Sequence, residues 1–304
     1  MTAYEHILVE RLGTDDRLAR ITLNRPDRLN ALSPDLLAEF ERALKELEDD
    51  PSARVIIVRG AGRAFSAGYD LATPRPSPPA PLPHAGEGPG VRAERRSVWR
   101  IRTNMVRVSD LYLYFWNMAK VTIAQVHGYC IAGGCELAMM ADLVIAAEDA
   151  TFGHPGTRGL GTSRTAVLWP LLIGMRKAKE LLYTGDSISG AEAERIGMIN
   201  KAVPAAELEE TVLRWAERIA NQAADSLALQ KRSVNTYFEQ IIYPAIHSAT
   251  DTDAMYQFTE QGYLWQEKVR EAMAPGGPGL KAALEWRDAP YRDYRAGRPR
   301  EAAP

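Results

Sequence analysis

The stretch HGYCIAGGCELAMMAD, residues 127–142, constrains the fold more than any other part of the chain. VTIAQVHG (121–128) leads into it as an apolar strand, the pair Gly133-Gly134 interrupts the run, and CELAMMA continues as a helix that is apolar on nearly every side. A helix without a polar face has to be enclosed, so other elements must cover this unit. RVIIVRG (54–60) is a second short, almost wholly apolar run and reads as a strand covered on both faces. Both runs predict a mixed α/β core.

The segments around them give the order. HILVERLG (6–13) and RLARITLNRP (17–26) alternate apolar and polar residues about the turn TDD and predict a hairpin that Pro26 ends. Ser33 before Pro34 is a helix N-cap, followed by Leu36, Leu37, Phe40, Ala43, Leu44 and Leu47 at helical spacing. A longer helix is expected from near Glu94 to Met118. AVLWPLLI, MRKAKELLYTG and SGAEAERIG predict short helices ended by glycine, and MINKAVP a strand stopped by Pro204. ELEETVLRWAERIANQ and SLALQKRSVNTYFEQ predict further helices before a less regular tail. Residues 72–91 hold seven of the nineteen prolines and no periodic pattern, which marks an extended or disordered insertion within a domain. The expected organisation is a core over 1–205 that carries this insertion and a helical region over 206–304.

Composition narrows the classes. A chain of 304 residues with 46% apolar content can bury a substantial core. A formal charge of −2 gives no global basic field for nucleic acid or an anionic membrane. The start MTAYEHILVERLG lacks the layout of a signal peptide, no apolar run reaches the roughly 20 residues of a membrane span, and Cys130 and Cys135 make no disulfide framework. A cytoplasmic setting, without nucleic-acid or membrane partners, is the expectation. His127, Cys130, Cys135 and Glu136 are metal-ligand types, but H-x2-C-x4-C fits no common zinc spacing, so no metal is expected. The chain has neither G-x-S-x-G nor G-x-G-x-x-G, which argues against a serine-hydrolase elbow and a dinucleotide fold.

Glu136 is then the residue with chemistry. A carboxylate in the first turn of an enclosed helix is favoured by the helix dipole but loses hydration, which makes it a candidate general acid or base. The alternative is a capping role at a helix start packed through glycines. Gly133-Gly134 allows close approach to the backbone, so an N–H there can hold an oxyanion. Phe65-Ser66-Ala67-Gly68, after the other apolar strand, presents a second such N–H at Tyr69. FGHPGTRGLGTSRT (152–165) carries His154, Arg158 and several hydroxyls, but no carboxylate.

ITLNRPDRLNALS, RAFSAGYDL, VHGYCIAGGCELAMMADLVIAAEDATFG and LLYTGDSISGAEAERIGMINKAVP resemble, in order and spacing, the crotonase superfamily, the enoyl-CoA hydratase/isomerase family. The likeness covers about 20–240 apart from the proline-rich insertion. It implies an α/β spiral of repeated ββα units with a helical C-terminal region that packs against neighbours in a homotrimer or a dimer of trimers. It implies an acyl-CoA thioester substrate, coenzyme A being part of that substrate, with no permanently bound cofactor. The thioester oxygen would lie between the N–H groups of Tyr69 and Gly133, with Glu136 as acid or base. Arg25 and Leu29 fall in the turn that contacts CoA, and Ala67, Asp70 and Leu71 flank its adenine region.

One position departs from the family's hydratases. Their second glutamate stands twenty residues after the first, which here is Gly156. The resemblance therefore implies a cavity in the second wall of the site, to be filled by His154, Thr157 or Arg158, by a substrate carboxylate, or by an external anion. Hydration and isomerisation both use the missing group. The alternatives are another enolate reaction, such as that of a lyase, hydrolase or decarboxylase on a bulky or carboxylated acyl-CoA, or a non-catalytic acyl-CoA binding protein. LYLYFWN (111–117) reads as core packing or as a wall for a bulky acyl group. Arg92, Arg95, Arg96, Arg100, Arg102 and Arg107 read as a solvated face or as contacts to CoA phosphates.

Overall fold

The computed structural model describes residues 4–13, 15–71 and 98–291. The proline-rich stretch 72–91 and Arg92, Arg95 and Arg96 lie outside the described residues. β1 (Ile7–Leu12) and β2 (Leu18–Leu23) form the expected antiparallel hairpin, with Ile7 opposite Leu23 and Leu12 opposite Leu18. In α1 (Pro34–Asp49) the Ser33 hydroxyl accepts from the Leu36 N–H, and the six apolar residues read at helical spacing are all buried.

β3 (Val55–Gly60), β4 (Ala64–Ser66), α2 (Val98–Asn117), β5 (Val121–Val126), β6 (Tyr129–Ile131), α3 (Gly133–Met139), β7 (Leu143–Ala147) and β8 (Thr151–Gly153) follow. The pairs β3–β4, β5–β6 and β7–β8 each place the first member in a six-stranded sheet and the second in a four-stranded one. The larger sheet runs β1-β2-β3-β5-β7-β10 and the smaller β4-β6-β8-β9, where β9 is Ser187–Ser189 and β10 is Lys201–Val203. β2, β3, β5 and β7 are mutually parallel, as are β4, β6 and β8. This is the spiral of strand-strand-helix units that the sequence implies, and it stacks the turns after β4, β6 and β8 at one place.

α4 (Leu168–Ile173), α5 (Met175–Thr184), β9 (Ser187–Ser189), α6 (Gly190–Arg195) and β10 (Lys201–Val203) complete the spiral. MINKAVP is a strand only over Lys201–Val203. Met198 and Ile199 are buried in the turn that closes α6, where the Met198 N–H donates to Ala193 O.

α7 (Leu208–Ala220), α8 (Ala224–Tyr256), α9 (Glu260–Met273) and α10 (Leu280–Asp288) make the C-terminal third. α8 runs without a break through Pro244 to Tyr256, well beyond the helix predicted there. A proline costs a helix an internal hydrogen bond, but tertiary packing overrides it. Lys231, Asn235, Ile242, Ile246, Thr250 and Asp253 are buried along α8. Asn235 donates to Trp116 O, and the Ser109 and Thr250 hydroxyls lie 2.7 Å apart, which binds α8 to α2.

One apolar cluster extends from Ile7 to Ile246, so the helices after 205 share the core of the spiral. Leu71 instead joins Leu160 and Trp265, Ala272 and Ala283 in a smaller cluster. No helix among the described residues is long and apolar enough to cross a membrane.

Candidate active site

Two turns create the backbone part of the site. Ala132, between β6 and α3, has φ +50° and ψ −120°, a conformation that costs an L-residue on the order of 1–3 kcal/mol. Its own N–H donates to Gly153 O, which ties the turn to β8. At Gly134, a Cβ would lie 2.4 Å from Ser66 O, so the start of α3 rests directly on the end of β4. At Gly68 (φ +101°), a Cβ would lie 3.2 Å from the Gly133 nitrogen. The two turns therefore touch. Among the described residues, neither the Tyr69 nor the Gly133 backbone N–H has an acceptor.

The turn holding Arg25 and Leu29 is clasped to the same place. Leu29 and the buried Asn30 both have positive φ. Asn30 donates to Ala61 O and Ala64 O and accepts from the Arg25 N–H. Ala67 N–H donates to Leu29 O, and Arg25 pairs with Asp70 at 2.8 Å. Arg25, Leu29, Ala67 and Asp70 thus form one cluster, while Leu71 turns to the C-terminal helices.

Glu136 is buried, and its carboxylate is spent on side-chain and loop partners rather than on capping α3. Oε1 accepts from the Arg164 backbone N–H at 2.6 Å and lies 3.5 Å from His154 Nε2. Oε2 accepts from the Tyr69 hydroxyl at 2.5 Å. The Tyr69 and Tyr112 hydroxyls are 2.9 Å apart, and Tyr112 also donates to Gly133 O. Burial alone would raise the Glu136 pKa. The His154 hydrogen bond, with the positive charge of Arg164, overcomes it and brings the value down to about 2. Burial, then the Glu136 charge, pushes the Tyr69 phenol well above its ordinary value, against Arg164. Tyr112 is raised chiefly by burial.

At position 156 the structure selects one of the alternatives read from the sequence, His154. No cavity stands there for a carboxylate. A Cβ on Gly156 would lie 2.5 Å from Gly161 O and 2.7 Å from His154 Cε1, because the imidazole and the following loop already fill the space. His154 is thus brought to Glu136, and Arg158 is not. The Arg158 guanidinium donates to Thr184 O and Asp186 and lies 4.6 Å over the Tyr291 ring. Thr157 donates to Leu182 O.

Three participants carried no signal of their own. Arg164, 6% exposed, lies 4.4 Å over the Tyr69 ring, while the opposing Gly133 would place a Cβ 2.8 Å from that ring. Asp253 of α8 accepts from the Thr162 N–H at 2.9 Å and stands 3.4 Å from Arg164 Nε. Burial raises its pKa despite Arg164. Tyr112 was legible only as part of an aromatic run, of which Phe115 is core, edge-on to Phe40. Of the described arginines on α2, Arg102 pairs with Asp251 and stacks on Trp99, and Arg100 and Arg107 are exposed.

The arrangement is two N–H groups, without an acceptor among the described residues, on touching turns beside a buried, ionised carboxylate. The family profile described as enoyl-CoA hydratase/isomerase matches residues 13–77 and 97–272. The chain belongs to the enoyl-CoA hydratase/isomerase family. A crotonyl-CoA hydratase of Syntrophomonas wolfei is 35% identical over 239 residues, 77% of this chain and 82% of that protein. The fold matches the crystal structure of an enoyl-CoA hydratase/isomerase from Xanthobacter autotrophicus Py2 with a TM-score of 0.81 and 34% identity, over 95% of this chain and 99% of that one. It also matches an enoyl-CoA hydratase from Mycobacterium smegmatis, with a TM-score of 0.80, 32% identity and 94% of each chain covered. This enoyl-CoA hydratase/isomerase family member has the crotonase fold.

Proposed function

We propose that this protein takes an acyl-CoA thioester, holds the thioester oxygen between the Tyr69 and Gly133 N–H groups, and uses Glu136 to move the proton of an enolate reaction. The observation that carries the reading is Glu136, buried and ionised beside two backbone donors that lack an acceptor among the described residues. Negative charge that develops on the oxygen is stabilised where it appears, and the carboxylate is in its basic form at neutral pH. Coenzyme A enters as part of the substrate, along the cluster of Arg25, Leu29, Ala67 and Asp70. Hydration of a 2-enoyl thioester is the favoured reaction, since Glu136 can activate water. Because position 156 is filled by His154, proton delivery to the α-carbon differs from a two-glutamate scheme. Association into trimers or dimers of trimers is part of the proposal; Leu229, Val234, Tyr237 and Ile241 expose apolar surface on α8.

The test is turnover of crotonyl-CoA beside branched, aromatic and carboxylated acyl-CoAs, with products identified by mass. Glu136→Gln should lose about 10²–10⁴-fold in kcat while still binding CoA thioesters. Thioester binding without any turnover in the wild type would instead support an acyl-CoA binding protein.

A further inference from the structure

Proton delivery to the α-carbon needs a donor, and Gly156 supplies none. The groups around Glu136 divide between its two oxygens. Oε1 faces the Arg164 backbone N–H and His154. The His154 ring is also packed into the space beside Gly156, so it lies against the loop wall. A guanidinium does not release its proton at any working pH. Oε2 faces the Tyr69 hydroxyl at 2.5 Å. Tyr69 is also the residue whose backbone N–H is one of the two donors without an acceptor among the described residues, and its ring lies against Gly133, which carries the other. The Tyr69 side chain therefore links the two N–H turns to the Glu136 carboxylate.

We propose that the Tyr69 phenol is a catalytic residue, the proton donor that replaces the absent second carboxylate. This rests on the enolate reading above. In hydration, the oxygen of water bonds to the β-carbon of the enoyl thioester as Glu136 takes one of its protons, and the π pair moves to form the enolate. The enolate α-carbon then takes the phenol proton, forming a C–H bond as the O–H bond breaks. The phenolate recovers a proton from the Glu136 carboxylic acid across their hydrogen bond. One water is consumed, nothing is oxidised or reduced, and both residues end as they began. The Tyr112 hydroxyl, 2.9 Å from that of Tyr69, can turn from Gly133 O to donate to the transient phenolate. The stack of Gly133, Tyr69 ring and Arg164 guanidinium fixes the phenol against the base Glu136.

Tyr69→Phe tests this, because it keeps the backbone N–H and the stacked ring and removes only the hydroxyl. The readouts are turnover of crotonyl-CoA, affinity for butyryl-CoA, and exchange of the butyryl-CoA α-proton in D2O. The expected result is a loss of about 10²–10³-fold in kcat and in α-proton exchange, with KM and butyryl-CoA affinity changed less than about threefold. Rates within a few-fold of wild type in both assays overturn the proposal and leave the enolate reading standing. A wild type inert in both assays overturns both. Should Tyr69→Phe misfold, a fluorotyrosine at position 69 replaces it. Its altered phenol acidity should change kcat and α-proton exchange by more than about threefold with butyryl-CoA affinity unchanged, and rates equal to wild type in both assays overturn the proposal.

Discussion

The His154 imidazole stands in the space into which any side chain at position 156 would grow, with Cε1 2.7 Å and Nδ1 2.8 Å from where the Gly156 Cβ would be. The glycine and the histidine are therefore two halves of one packing solution. Restoring the family glutamate alone should not restore a second acid.

Gly156→Glu is expected to destabilise the protein by about 1–3 kcal/mol through overpacking, without raising hydration. Adding His154→Ala should recover part of that loss and raise hydration of crotonyl-CoA above the Gly156→Glu single variant. Urea denaturation and initial rates check both. A single Gly156→Glu variant that hydrates faster than wild type would show that His154 moves aside freely.

This pair also shows how far the sequence could be read. The strands and helices of the spiral were legible because RVIIVRG, VTIAQVHG and the 36–47 stripe each bury their apolar positions in the core. Glu136 was legible because a charge in an apolar helix is costly unless it is paired. What filled position 156 was legible only as a set of alternatives that included His154, because a missing side chain does not say which neighbour moves in. Arg164 and Asp253 were hidden for another reason. They lie 89 residues apart, on a loop and on a helix that the local pattern ended too early, and they meet through tertiary packing that no spacing records.

Gly68 is the second point of fine fit. At φ +101° a side chain is strained, and a Cβ would lie 2.9 Å from Ile131 O and 3.0 Å from the Ala132 Cβ. Gly68→Ala should push the two turns apart and misalign both N–H groups. The expected loss is about 10²–10³-fold in kcat, with a smaller change in KM. Steady-state kinetics on crotonyl-CoA measure the split, and a loss confined to KM would remove Gly68 from the oxyanion turn.

Asp253 anchors the loop that carries Arg164. Asp253→Ala leaves the partly buried Thr162 N–H without its acceptor, which should cost about 1–3 kcal/mol. Asp253→Asn keeps an acceptor oxygen, and burial already disfavours the ionised Asp253 carboxyl. The asparagine variant is therefore expected to be the milder of the two, read by denaturant midpoint. Equal losses would mean that the carboxylate charge, rather than the hydrogen bond, holds the loop.

Arg164 makes the charge state of Glu136 testable by pH. Burial opposes ionisation, while the His154 hydrogen bond and the Arg164 charge favour it, and the balance sets the folded value at about 2, below the ordinary 4.5. A folded value below the unfolded one means that ionised Glu136 contributes stability above about pH 4.5, a contribution lost as pH falls through about 2. For catalysis, the basic form is present throughout the neutral range, so the acid limb of kcat/KM should contain no Glu136 inflection between pH 4 and 6. Arg164→Met removes the positive charge but leaves the backbone N–H on Oε1 and a side chain over the Tyr69 ring. Burial then has less to oppose it, the Glu136 pKa rises, and the acid limb should move to higher pH with it. An acid limb identical in wild type and Arg164→Met would mean that His154 and the Tyr69 hydroxyl hold the carboxylate ionised without the guanidinium.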